Sequence, residues 1–220
     1  MQTLIDIIKQ GKFLKVSPRD DDGTGIFYQL NNDLYRTHEF SSVEWRESIV
    51  VFGCSTVFGL GLTEKETITS CLERITNRPV INMGVCGSSM QFSLYNSVIL
   101  RNYYPLPKAV VHIWTSTARC TRFSNDKIFN YGAWNSNEPL MMNWASDQTN
   151  VQVHAKMTQL ISKHLWPNDV KYHELTFFKD TAECLNITHL NGIDLSLDNT
   201  HPGKETAQIT AECIAKDLSL

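Results

Sequence analysis

The chain has 220 residues, of which 42% are hydrophobic and 20% charged, enough for one domain with a sizeable core. Its 20 Lys and Arg stand against 23 Asp and Glu, for a net charge of -3. This excludes the concentrated positive charge that a nucleic-acid partner or an anionic membrane surface requires. No apolar run approaches the length that spans a bilayer.

Residues 1–47 read as an N-terminal extension packing on the core. Residues 1–9 are amphipathic, with Asp6 inside the apolar stretch, and predict a short helix and not a signal peptide. The six cysteines are scattered, with no Cys-x-x-Cys pair; together with the missing export signal they read as reduced thiols in a cytoplasmic setting. Residues 20–25 run Asp-Asp-Asp-Gly-Thr-Gly and predict a solvated loop, because the ligand spacing and closing Glu of a calcium loop are missing. Residues 34–36 predict a short edge strand.

From residue 48 to 220 the pattern is that of a single α/β domain. Residues 48–53 predict the first core strand: Ile49 to Phe52 are a continuous apolar run closed by Gly53, which fits a strand buried on both faces of a parallel sheet. Residues 64–75 have helical spacing, with Ile68, Cys71, Leu72 and Ile75 on one face and Thr63 with Glu66 as a capping box. Residues 79–84 form a second strand ending in glycine, residues 89–102 a second helix, and residues 109–114 a third strand. Such alternation implies crossover connections and a parallel sheet. Residues 119–150 predict a long irregular connection, of the kind used as a lid or binding loop. A helix over 151–165, a strand over 172–178, a mostly looped stretch over 179–200 and a closing helix over 203–218 complete the chain. The expected architecture is a three-layer α/β/α domain with a central parallel sheet of about five strands.

Sites in such sheets lie at the carboxyl ends of strands. Ser55 stands at that end of the first core strand. A serine hydroxyl needs a base, usually a histidine oriented by a carboxylate. Asp198-Asn199-Thr200-His201-Pro202 offers both groups on a loop before the last helix, with Pro202 suited to that helix's first turn. Cys54, beside the serine, reads as a small apolar filler and not as a thiol nucleophile. The glycines of residues 53–61 lack the spacing of phosphate-binding or dinucleotide motifs. His154, His164, His173 and His189 lack zinc-ligand spacing, and His112 reads as a satisfied core residue. No metal or other cofactor is called for. Arg119, after the third strand, either binds an anionic group of a substrate or forms an ordinary ion pair. Trp114, Trp134 and Trp144 surround the 119–150 connection, either as stacking surfaces for a substrate or as packing.

The blocks Gly53-Cys54-Ser55-Thr56, Val80 through Ser88, and Asp198-x-x-His201-Pro202, in this order, resemble those of the SGNH (GDSL-like) hydrolase family over residues 48–218. The resemblance implies the flavodoxin-like SGNH fold and a serine ester hydrolase in which Ser55 is the nucleophile, His201 the base and Asp198 its orienting acid. It implies oxyanion donors at the Ser55 and Gly87 N–H groups. The family's aspartate before the serine is Cys54 here. The third block's asparagine is also absent, and Ser116 or Thr117 falls nearest its position. The implied substrate is a small ester such as an acetylated carbohydrate, with Arg119 and Trp114 as contacts. The readings set beside it are a non-catalytic module on the same fold and an O-acyltransferase.

Overall fold

A computed structural model of the chain describes residues 10–15, 23–124 and 127–220. The helix predicted over residues 1–9 and the first three residues of the 20–25 loop lie outside the described residues. Five strands, β1 (Ile49–Gly53), β2 (Val80–Gly84), β3 (Ala109–Trp114), β6 (Lys171–Thr176) and β7 (Thr188–His189), form one sheet in the order β2-β1-β3-β6-β7. Every pairing in it is parallel. Two strands in the 119–150 connection, β4 (Cys120–Ser124) and β5 (Lys127–Tyr131), pair antiparallel as a separate hairpin. Seven α-helices accompany them among the described residues: α1 (Ser55–Phe58), α2 (Ile68–Thr76), α3 (Met90–Tyr103), α4 (Pro139–Ser146), α5 (Gln148–His164), α6 (Lys179–Leu185) and α7 (Lys204–Leu218).

The run Ile49-Val50-Val51-Phe52 is fully buried because its alternating side chains enter two different cores. Ile49 and Val51 join Leu72 of α2 and Ala211 and Ile214 of α7 on one face. Val50 and Phe52 join Ile81, Met83, and Phe92 and Ile99 of α3 on the other. The second core also takes in Phe13, Leu14, Tyr35, Phe40 and Trp45 from the first 47 residues. The chain runs from β1 outward to β2, then crosses back to β3 on the opposite side of β1. The reversal opens a crevice at the carboxyl ends of β1 and β3, where ligands of such sheets bind.

Several predicted elements are corrected. Residues 34–36 are no strand: Leu34 adopts φ 65°, and the segment turns so that Tyr35 and Arg36 both enter the interior. The 119–150 connection is not irregular but holds the β4–β5 hairpin, a 3₁₀ turn over Ala133–Asn135, and α4. The stretch after β6 contains α6 and the two-residue β7. The closing helix begins at Lys204 with Gly203 as its N-cap, so Pro202 precedes the helix and does not lie in its first turn. The Thr63–Glu66 capping box caps a 3₁₀ turn, Glu64–Glu66, and Thr67 caps α2 itself, accepting from the Ser70 N–H.

Candidate active site

Cys54 and Ser55 follow directly on β1. Cys54 is the N-cap of α1, and Ser55 is its first residue. A helix of four residues cannot hold itself together, so its neighbours must. Asn82, a polar residue in a strand buried on both faces, donates from Nδ2 to the Val57 carbonyl at 2.8 Å and to Thr69 Oγ1 at 3.2 Å, while its Oδ1 accepts from the Gly84 N–H at 2.9 Å. Gly84 lets α1 come this close: a Cβ there would stand 2.3 Å from the Phe58 nitrogen. Arg36, with a side chain 1% exposed, closes the other end of the turn. Its Nη1 donates to the carbonyls of Phe58 (3.2 Å) and Gly59 (2.7 Å), its Nη2 to that of Leu62 (2.9 Å), and its Nε to Glu64 (2.8 Å).

The acid–imidazole loop lies over this turn. The Leu197 N–H donates to the Gly61 carbonyl at 3.1 Å. Gly61 has φ +76°, and a Cβ on it would stand 2.3 Å from Ser196 Oγ; the approach requires glycine. The loop closes on itself through Ser196 N–H to the His201 carbonyl (2.8 Å) and Gly203 N–H to the Asp194 carbonyl (3.0 Å).

In this frame His201 Nε2 lies 2.7 Å from Ser55 Oγ, and His201 Nδ1 lies 2.5 Å from Asp198 Oδ2. The other Asp198 oxygen accepts from Ser196 Oγ (2.7 Å) and from the N–H groups of Thr200 (2.9 Å) and His201 (2.9 Å). Burial raises the Asp198 carboxyl, but these donors outweigh it and hold the group down at about 2. A hydroxyl, an imidazole and a carboxylate in this chain can pass a proton from oxygen to nitrogen and stabilise the resulting imidazolium.

Ser55 and His201 open on a cavity of about 500 Å³, lined also by Cys54, Thr56, Arg119, Phe177, Phe178, Ile193, Asp194 and Leu195. Cys54 touches it, but the imidazole faces the serine, and Ser55 Oγ lies 3.9 Å from Cys54 Sγ. Another cavity, of about 580 Å³, lies between Arg36, His38, Glu64 and Glu73; it contains none of these three groups, and its buried guanidinium, Arg36, is paired with Glu64.

The remaining predicted residues fall differently. Gly87, Ser116 and Thr117 are not among the residues lining the cavity with Ser55. The Ser116 hydroxyl accepts from the Ala118 N–H at 3.3 Å, and the Thr117 N–H donates to Thr181 Oγ1 at 3.2 Å, so both are engaged in the turn after β3. Trp114 is 2% exposed, stacks on His112 at 4.2 Å and donates to Glu174 at 3.1 Å. It is a core residue, because its position continues the buried alternation of β3. Arg119 does line the cavity, and the tryptophan beside it is Trp134. His112 is fully buried, its Nε2 3.0 Å from Ser97 Oγ, and burial pushes it down to about 3. Among the described residues no cluster of His, Cys, Asp and Glu could hold a metal ion, and no helix is long and apolar enough to cross a membrane.

Arg36, Asn82 and Ser196 escaped the sequence reading as supports of the site. Asn82 carried a signal, since a side-chain amide in a doubly buried strand needs a specific set of partners. Arg36 carried none.

No protein-family model matches the chain, and no curated protein matches it. Among solved structures it is similar to a putative lipolytic protein of the G-D-S-L family from Desulfitobacterium hafniense DCB-2, with 16% identity, a TM-score of 0.47, and 78% of this chain and 99% of that chain covered. It is similar to TesA at 14% identity and TM-score 0.44, over 78% of this chain and 99% of that one. It is also similar to a carbohydrate esterase family 2 enzyme with a carbohydrate binding domain from Corynascus thermopiles (Myceliophthora fergusii), at 14% identity and TM-score 0.43, over 79% of this chain and 65% of that one. At such identities and TM-scores these likenesses say nothing of this chain's activity.

Proposed function

We propose that the protein is a serine ester hydrolase of SGNH type acting on a small ester, with an acetylated carbohydrate as one such substrate. One observation carries this reading: the hydroxyl of Ser55, a buried residue lining a cavity, lies 2.7 Å from an imidazole whose other nitrogen is held by Asp198. Ser55 Oγ attacks the ester carbonyl while His201 Nε2 takes its proton. The carbonyl π electrons move onto oxygen. When the tetrahedral intermediate collapses, the C–O bond to the alcohol breaks and His201 returns the proton to that oxygen. Water then attacks the acyl-serine with His201 again as base, releasing the acid and restoring Ser55. Asp198 keeps the Nδ1 proton in place and stabilises the imidazolium.

The N–H of Ser55, at the start of α1 where helix donors lack internal partners, and the N–H of Gly87 are the proposed oxyanion donors. The third block contributes no asparagine, and Ser116 and Thr117, nearest its position, do not line the cavity with Ser55. One missing donor costs on the order of 2.7–4 kcal/mol of transition-state stabilisation, so slow turnover is expected.

The test is hydrolysis of 4-nitrophenyl acetate together with labelling by a fluorophosphonate. The native protein should turn over the ester and take the label on Ser55, and Ser55→Ala should do neither. Unchanged turnover in Ser55→Ala, or a correctly folded native protein that neither hydrolyses nor labels, overturns the reading.

A further inference from the structure

We propose that Arg119 makes the cavity beside Ser55 a binding site for esters that also carry an anionic group, a carboxylate, sulfate or phosphate, and that its guanidinium is the specificity-determining residue there. The catalytic part of this claim rests on the hydrolase reading; the binding part does not.

The observation behind it is a cation with no ion-pair partner in a cavity whose lining is more apolar than polar and includes one carboxylate, Asp194. Arg119 shares the cavity wall with Ser55, His201, Phe177, Phe178 and Leu195. Among the described residues no carboxylate lies within ion-pair distance of it; its one hydrogen bond runs from Nη1 to the Ser88 carbonyl at 3.5 Å, the outer limit of such contacts. A guanidinium has five N–H donors in a planar fork, so nearly all of its donor capacity remains for a ligand.

The acids nearest the cavity are already committed. Asp194 accepts from the N–H groups of Glu205 (3.0 Å) and Thr206 (2.9 Å) and from the Thr206 hydroxyl (2.7 Å) at the start of α7. Asp198 is held by the four donors described above.

Two rings hold the fork. The guanidinium carbon lies 5.0 Å from the ring centre of Trp134 and 5.7 Å from that of Phe178. Aromatic faces bind a guanidinium without consuming its in-plane donors. Such a clamp suits bidentate recognition of a carboxylate, sulfate or phosphate. Trp134 comes from the connection between β5 and α4, and Phe178 is the N-cap of α6, so two separate excursions from the sheet converge on this side chain.

The positive field also reaches the floor of the cavity. Burial raises the Cys54 thiol, but Arg119, followed by the Thr56 N–H and the Thr115 and Ser55 hydroxyls, outweighs it and holds the thiol below its ordinary value. A substrate anion brought near the nucleophile would meet this field in a poorly screened site.

Binding is tested without turnover. Ser55→Ala protein is titrated with sodium sulfate, inorganic phosphate and succinate against chloride at equal ionic strength, and the melting temperature is followed. A rise with at least one of these anions that vanishes in Ser55→Ala/Arg119→Gln supports the proposal and identifies the preferred anion. No anion-specific rise, or one that persists without the guanidinium, overturns it. Turnover is then compared on mono-4-nitrophenyl succinate and 4-nitrophenyl butyrate. Arg119→Gln should lose about 10- to 100-fold more kcat/KM on the anionic ester than on the neutral one, chiefly through KM, as expected for one charge-assisted bidentate contact. Arg119→Lys, which keeps the charge but not the fork, should recover part of the difference. Equal losses on both esters place the guanidinium at the oxyanion or in the fold and overturn the proposal. If neither ester is hydrolysed, the hydrolase reading falls while the anion-dependent melting shift still decides the binding claim.

Discussion

Asp198 accepts four hydrogen bonds through two oxygens, and their division makes one substitution informative. Oδ1 serves Ser196 and two backbone N–H groups, while Oδ2 serves the imidazole. In Asp198→Asn the amide oxygen can keep the Oδ1 contacts, which turns the NH₂ group toward His201 Nδ1. That nitrogen must then accept, so the ring proton moves to Nε2, opposite the serine whose proton it is meant to take. With the hydrolase reading, kcat should fall about 10³- to 10⁴-fold with KM little changed, measured on 4-nitrophenyl acetate. The same variant changes the dependence of stability on pH. The folded Asp198 carboxyl titrates at about 2, below the roughly 3.9 of an unfolded chain. Between these values the unfolded state binds more protons, so this group's contribution is complete above about pH 4 and is lost as the pH falls through the folded value. Urea unfolding from pH 5 to 2 should show the native protein losing stability more steeply than Asp198→Asn; parallel curves exclude this role for the carboxylate.

At the scale of elements, the four residues of α1 carry the nucleophile and are held from outside, by Asn82 at one carbonyl and by Arg36 at the carbonyls of Phe58, Gly59 and Leu62. Arg36→Met leaves the buried carbonyls of Phe58 and Leu62 without this donor, while that of Gly59 keeps the Leu62 N–H. Each orphaned group costs about 1–3 kcal/mol, and partial relaxation of the turn places the expected loss at roughly 2–4 kcal/mol by chemical denaturation. Glu64 is 57% exposed, so Glu64→Gln should cost less than about 1 kcal/mol. If the two variants lose equal stability, the ion pair and not the carbonyl clamp is the working part. This contrast also marks the reach of the sequence. β1 was legible as a continuous apolar run, β2 and β3 because only one polar side chain each, Asn82 and His112, interrupts theirs; Ser55 was legible because it follows β1 directly, and Asp198 with His201 because they share one short loop before α7. The β4–β5 hairpin was not, since its strand Cys120–Ser124 is mostly only partly buried and its alternation is correspondingly weak. Arg36 was invisible because its partners lie 22 to 28 positions away, and nothing local distinguishes it from a surface arginine. Trp114 was misassigned because an aromatic residue at a strand end looks the same whether it faces a ligand or, as here, His112 and Glu174.

For the molecule as a whole, the boundary drawn at residue 47 separates segments that share one core. Phe13, Leu14, Tyr35, Phe40 and Trp45 are between 1% and 7% exposed and pack in the same cluster as Val50, Phe52, Ile81 and Met83 of the sheet. Phe13 stacks on Tyr104, ring centres 4.6 Å apart. Asn96 of α3 grips the segment like a neighbouring strand: its Oδ1 accepts from the Leu14 N–H at 2.7 Å, and its Nδ2 donates to the Leu14 carbonyl at 3.2 Å and to the Tyr35 hydroxyl at 2.8 Å. Burying a large apolar side chain contributes about 1.5–3 kcal/mol. Five of them sum to an amount comparable with the roughly 5–15 kcal/mol that stabilises a whole domain. Deleting residues 1–47 also removes Arg36, and with it the clamp on the turn that holds Ser55. The fragment 48–220 should therefore lack a cooperative unfolding transition and bind hydrophobic dyes, with weakened near-ultraviolet circular dichroism but much of its far-ultraviolet signal, because the helices facing α7 keep their own core. A fragment that unfolds cooperatively with a native-like near-ultraviolet spectrum would make the sheet and its helices an independent unit, and residues 1–47 an addition to it. The two outcomes also separate two ways of supporting a nucleophile: from within the α/β repeat, or, as the Arg36 contacts indicate, from a segment that precedes the repeat and completes it.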